Sequence, residues 1–161
     1  MLENRMFKFA IAGAMAMVLA ACGQANKSAD TGSMSGGYSA ERSEGDAQYL
    51  AENVLDRVFF NTDQSTLNEA AMSTVRNQAR WLQANSSVSV VIEGHADERG
   101  TRDYNLALGA RRATAVRDAL ISMGVNAGQV STISYGKERP VSLCSSENCW
   151  SKNRRAVTSL R

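Results

Sequence analysis

Residues 93–113 read EGHADERGTRDYNLALGARRA, and most of the side chains able to do chemistry are gathered there. Asp97, Glu98 and Arg99 crowd a short loop bounded by Gly94 and Gly100. A loop between a strand end and a helix N-terminus is a common place for a binding site. Farther on, Asn105, Leu108 and Arg112 fall at i, i+3 and i+7, one face of a helix. Asp97 can accept hydrogen bonds from an ammonium, and Arg112 can hold a carboxylate in a bidentate fork. The spacing alone serves equally well a structural ion pair or a carboxylate that caps the helix. Glu98 and Arg99 fit solvated loop charges as well as contacts at a rim. Tyr104 fits a pocket wall or packing on the sheet, and both readings stay open.

His95 is the sole histidine of the chain. That excludes any mechanism needing two imidazoles, and zinc sites usually draw on several His or Cys. His95 therefore reads as a hydrogen-bonded structural residue. A nucleophilic thiol would have to be Cys144 or Cys149, and the nearby Glu147 opposes thiolate formation. No catalytic residue and no metal site is expected.

The surrounding pattern supplies the elements. Residues 47–56 have short helical spacing through Leu50 and Val54, and residues 57–60 are β-prone. Residues 61–64 are turn-like. Helical spacing through Ala71, Val75, Ala79 and Leu82 predicts a helix over residues 68–85. Val88, Val90 and Ile92 alternate, which predicts a strand over residues 88–94. Leu108, Val116, Leu120 and Met123 mark the longest helix, residues 103–123, with Gly124 as its stop. Strands over residues 130–135 and 156–160 follow, separated by a polar loop that holds Arg154 and Arg155 as surface residues and Trp150 as a packing anchor. Strands alternating with helices predict a two-layer domain with helices on one face of a sheet.

The first 46 residues have another character. Arg5 and Lys8 precede an apolar run, residues 9–19, about half the length a bilayer-crossing helix needs. Residues 1–21 therefore read as a signal peptide. Leu19-Ala20-Ala21-Cys22 resembles the bacterial lipobox, which implies a covalent lipid on Cys22. Each buried methylene adds about 0.8 kcal/mol, so several acyl chains would hold the protein on a membrane. Gly23, where inner-membrane lipoproteins typically carry Asp, implies the outer membrane. Residues 22–46 are Gly-, Ser- and charge-rich and read as a flexible tether, leaving residues 47–161 for the folded domain. With Cys22 set aside, Cys144 and Cys149 remain as a possible disulfide. The formal net charge is +2, and losing Arg5, Lys8 and Glu3 leaves +1, so no strong field calls for nucleic acid.

In order along the chain, EGHADERGT, YNLALGARRA, SYGKERP and SKNRRAV resemble the OmpA-like peptidoglycan-binding domain, and the likeness spans residues 58–160. It implies an α+β two-layer sandwich, β-α-β-α-β-β, with helices packed on one face of a mixed sheet. It implies a ligand, the diaminopimelate residue of uncrosslinked peptide stems, held without a metal. The family's loop aspartate matches Asp97, and its helix arginine matches Arg112, with Asn105 and Leu108 in the matching places. Arg99, Gly94, Phe60 and Thr62 complete the peptidoglycan-contacting positions that the resemblance suggests. Two departures stand out. Asn61 replaces an aspartate, and Gly109 replaces a frequent serine at some cost in helix propensity. Lipoproteins of this family imply further partners: the propeller protein TolB and the Tol inner-membrane complex, with roles in envelope integrity and cell division. A cell-wall hydrolase is the competing function. A flagellar-stator relative would need a true membrane span.

Overall fold

Alternating apolar residues build the sheet, and matching stripes on two helices cover it. A computed structural model describes residues 46–161. These lie within one compact unit, Gly37–Arg161, while a second unit, Met1–Gly36, lies outside the described residues. The signal segment, Cys22 and the tether up to residue 45 therefore fall outside the description.

The strands are β1 (Arg57–Phe59), β2 (Val90–His95), β3 (Val130–Gly136) and β4 (Arg155–Leu160). The helices are α1 (Glu69–Ala84), α2 (Arg102–Ser122) and α3 (Glu147–Asn153). The spatial order is β1-β4-β2-β3. β2 and β3 are parallel, as a helical crossover through α2 requires, and β4 lies antiparallel to both β1 and β2. Register sets Ile92 opposite Thr132 and Thr158, and Gly94 opposite Ser134 and Ala156. Val58, Val90, Ile92 and Ala156 thereby share one face, where they meet Val75, Ala79 and Leu82 of α1 and Val116 and Leu120 of α2. This is the α+β sandwich expected, with α1 and α2 on one face of a mixed sheet.

Local chemistry fixes the helix ends. The Asn68 Oδ1 accepts from the Ala71 N–H at 2.8 Å and caps α1. Thr101 caps α2 by accepting from the Tyr104 N–H at 3.3 Å. At the other end of α2, Gly124 has φ +94°. Its N–H donates to Ile121 O and that of Val125 to Leu120 O, at 2.9 and 3.1 Å. This is the Schellman pattern, with Val125 and Leu120 packed together in the core.

Three details differ from the sequence reading. The first helical stretch ends as a π turn, Leu50–Val54, and the chain reverses at Leu55 with φ +68°. Buried Gln78 ties this reversal to the sheet, donating to Leu55 O at 2.7 Å and accepting from Thr158 Oγ1 at 3.0 Å. Second, the polar loop contains α3, whose seven residues carry too few apolar positions to show a period. Third, Arg154 and Arg155 are buried, each about 5% exposed, rather than on the surface.

Gly94 and Gly109 govern how closely α2 lies on the sheet. A Cβ on Gly94 would stand 1.8 Å from the Gly109 carbonyl oxygen, and one on Gly109 would stand 2.4 Å from Ser134 Oγ. The helix propensity lost at Gly109 is offset by this close approach, which brings the start of α2 against the end of β2.

Candidate functional site

The β2–α2 loop is built around Asp97. One carboxylate oxygen accepts from the Arg99 N–H and Nε–H, both at 3.1 Å. The other accepts from Arg99 Nη2 at 2.7 Å and lies 3.4 Å from Arg154 Nη1. Burial alone pushes the Asp97 carboxyl up. The hydrogen bonds and charge of Arg99, with Arg154 behind, outweigh it and hold Asp97 below its ordinary value. Asp97 is therefore a carboxylate at neutral pH.

Positive φ at Gly100 (+89°) turns the loop into α2. Asn105, itself buried, then donates from Nδ2 to Arg99 O at 2.7 Å. From the far side Lys137 Nζ reaches Gly100 O at 2.6 Å and Glu98 O at 3.1 Å. The loop is thus clamped from the helix and from beyond β3.

Arg112 is fully enclosed. Its Nε donates to Gln64 O at 2.8 Å, Nη1 to His95 O at 2.8 Å and Nη2 to Asn61 O at 3.1 Å. The Phe60 ring lies 5.2 Å from the guanidinium carbon. Burial pushes Arg112 down to about 10, still protonated at neutral pH. One side chain from α2 thereby fixes the 61–64 turn and the end of β2 to each other. Asn61 contributes its backbone carbonyl to this arrangement.

A cavity of about 300 Å³ opens in front of this framework. Of the residues singled out by sequence, Thr62, Asp97, Arg99, Asn105 and Leu108 line it. Arg112 and Phe60 stand outside that lining, and Gly94 serves the contact with Gly109. Tyr104, left open by sequence, is a wall residue whose hydroxyl donates to Asp63. That bond raises the tyrosine's pKa above its usual value. Asp63, not among the expected contacts, also lines the cavity, with φ +59°, a region that Asp is among the few residues to adopt readily.

His95 corrects another expectation. It is 1% exposed, and neither ring nitrogen has a hydrogen-bond partner among the described residues. Burial, with Arg155 and Arg139 nearby, pushes it down to about 4. Cys144 and Cys149 are joined in a disulfide, Cα atoms 5.5 Å apart. Trp150 does pack, although on Arg99 rather than in the core, with its ring 4.2 Å from the guanidinium carbon. Among the described residues no group of three or more His, Cys, Asp or Glu gathers as metal ligands would. Nor is any helix among them long and apolar enough to cross a membrane.

The fold and this loop-and-helix site define a class, and the OmpA family model matches residues 59–154. The chain belongs to the OmpA family. The relatives it resembles are peptidoglycan-associated lipoproteins. That of Mesorhizobium japonicum is 57% identical over 116 residues, covering 72% of this chain and 69% of the relative. That of Agrobacterium fabrum is 49% identical over 150 residues, covering 91% and 85%. Among solved structures, the peptidoglycan-associated lipoprotein from Burkholderia pseudomallei superposes with TM-score 0.66 at 37% identity, over 69% of this chain and 96% of that one. The C-terminal domain of Helicobacter pylori MotB gives TM-score 0.62 at 28% identity, over 66% and 84%.

Proposed function

We propose that this protein is an outer-membrane lipoprotein that binds peptidoglycan without cutting it. The Cys22 lipid is the anchor on one side and the Asp97 pocket is the grip on the other. The ligand is the diaminopimelate of peptide stems, which carries an ammonium and a carboxylate on one carbon. Asp97 accepts from the ammonium. The cationic side belongs to Arg99, which lines the cavity. Arg112, without exposed surface and outside the cavity lining, gives three N–H groups to backbone carbonyls and holds the framework behind the pocket. Arg99, with 39% of its side chain exposed, is the guanidinium a ligand meets first. An entering ammonium takes over contacts that Arg99 now makes to Asp97 and frees that guanidinium for the ligand. Thr62, Asn105 and Leu108 shape the wall.

One observation carries this reading. Residues from a turn, a loop and a helix face, chosen by sequence, converge on one cavity around a charged pair. The names of the relatives support the choice of ligand. TolB and the Tol inner-membrane complex are the partners proposed on the same likeness, with action in envelope integrity and division. A cell-wall hydrolase is disfavoured because Cys144 and Cys149 are bonded to each other and His95, the last residue of β2, is buried.

Sedimentation with purified peptidoglycan sacculi tests the proposal. The wild-type chain is expected in the pellet. Asp97→Ala, shown to be folded by circular dichroism, is expected in the supernatant. Equal pelleting of both would place the site elsewhere, and release of soluble muropeptides would restore the hydrolase reading.

A further inference from the structure

The segment between β3 and β4 has few means of holding its own shape. Its helix, α3, has seven residues and no side-chain cap at Ser146, and so short a helix is marginal alone. Val141 and Leu143 are exposed, the latter at 86%. Two devices act within the segment itself. Asn153 closes the base, accepting from the Val141 and Ser142 N–H groups at 2.9 and 3.2 Å and donating to Ser142 O at 2.8 Å. The Cys144–Cys149 disulfide closes the middle.

What this segment presents is directed at the Asp97 loop. The Trp150 indole N–H donates to Glu98 Oε1 at 3.0 Å, and the Trp150 ring carries the Arg99 guanidinium at 4.2 Å. Glu147 accepts two hydrogen bonds from Arg154. Arg154, only 5% exposed, also donates to Phe60 O at 3.1 Å and reaches Asp97 at 3.4 Å. Each of the three loop residues Asp97, Glu98 and Arg99 is thus touched from α3 directly or through Arg154. The sequence motif of the loop accounts for none of this.

We infer that the disulfide-closed α3 is a clamp that positions Arg99 and Asp97 for the ligand, and that reducing the disulfide weakens binding while leaving the domain folded. This rests on the reading of the pocket given above. Trp150 and Glu147 are positioning residues. The reductant is a dithiol of the periplasmic thiol–disulfide exchange class. One of its thiolates attacks a sulfur of the bond, Cys144 being exposed. A mixed disulfide forms, and the second thiol resolves it. The Cys144–Cys149 bond breaks, both cysteines leave as thiols carrying the dithiol's protons, and the dithiol leaves as a disulfide.

The test uses the full chain in detergent, oxidised, reduced with dithiothreitol, and as the Cys144→Ser/Cys149→Ser variant. Sacculus affinity is expected to fall about tenfold in both forms that lack the Cys144–Cys149 bond, with circular dichroism unchanged. Trp150→Ala should lose as much, while Trp150→Phe, which keeps a ring beneath Arg99, should recover most of it. Nitrogen-15 spectra read the clamp without ligand: the Trp150 indole and Arg99 Nε–H signals should broaden or shift on reduction. Unchanged affinity and unchanged signals would overturn the clamp. Should the oxidised chain fail to bind sacculi at all, the reading of the pocket fails, and the two N–H signals still decide whether α3 holds the loop.

Discussion

Arg112 shows how much can depend on one side chain. Three backbone carbonyls from two segments end on its guanidinium, and it has no exposed surface. Arg112→Ala leaves those acceptors without a donor, and the loss should be about 3–5 kcal/mol in urea unfolding. Arg112→Lys should recover little of this, because an ammonium cannot match a planar fork. A loss below about 1 kcal/mol would mean that the turn over residues 61–64 holds itself. Binding lost in Arg112→Ala therefore needs a folding control, whereas Asp97 sits at the cavity wall and gives a cleaner test.

His95 supplies the pH prediction at the same scale. Its pKa is near 6.5 when unfolded and about 4 when folded. As pH falls below 6.5, the unfolded chain takes up the proton while the native protein refuses it. The stability present above pH 6.5 is therefore lost progressively down to about pH 4, in the order of 3 kcal/mol. His95→Phe should flatten that part of the stability curve, measured by urea unfolding between pH 4 and 7. An identical curve for the variant would show that other groups drive it. Sequence suggested a hydrogen-bonded histidine here, because composition cannot tell which buried polar groups lack partners. Arg154 and Arg155 misled for a related reason. Two adjacent arginines look solvated until the fold brings Asp97, Glu147 and backbone carbonyls to them.

At the scale of elements, the packing of α2 on β2 is set by two glycines. Gly94→Ala places a methyl against backbone that cannot move, and should cost about 3 kcal/mol or more in thermal unfolding. Gly109→Ala meets Ser134 Oγ and Gly94 O, and should cost about 1–3 kcal/mol despite alanine's better helix propensity. A stabilised Gly109→Ala would mean that α2 is free to lift from the sheet. The long elements were legible because each carries a full apolar stripe: Val75, Ala79 and Leu82 in α1, Val116 and Leu120 in α2. α3 was not legible because its place is fixed by a disulfide, by Asn153 and by Arg154, none of which leaves an apolar period in the sequence. The pocket was legible in part. Asp97, Arg99, Asn105 and Leu108 lie within one continuous motif, while Asp63 joins the lining from a remote segment and Trp150 reaches Arg99 from another.

At the scale of the whole molecule, the proposed function requires a lipid at Cys22, a tether and a domain whose cavity selects a ligand bearing both charges. A nearly neutral chain suits such a ligand, since long-range attraction contributes little to the choice. Diaminopimelate and lysine separate charge complementarity from plain cation binding. Both present an ammonium at the end of the side chain, and only diaminopimelate presents a carboxylate beside it. The measurement to make is displacement of the wall-bound protein from sacculi by soluble stem tetrapeptides that carry one or the other at the third position, with the backbone amine and carboxyl of that residue in amide bonds. Release by the diaminopimelate peptide, and little by the lysine peptide at equal concentration, is the expected result. Release by both alike, or by neither while the protein still pellets with sacculi, would contradict recognition of the paired charges at Asp97 and Arg99.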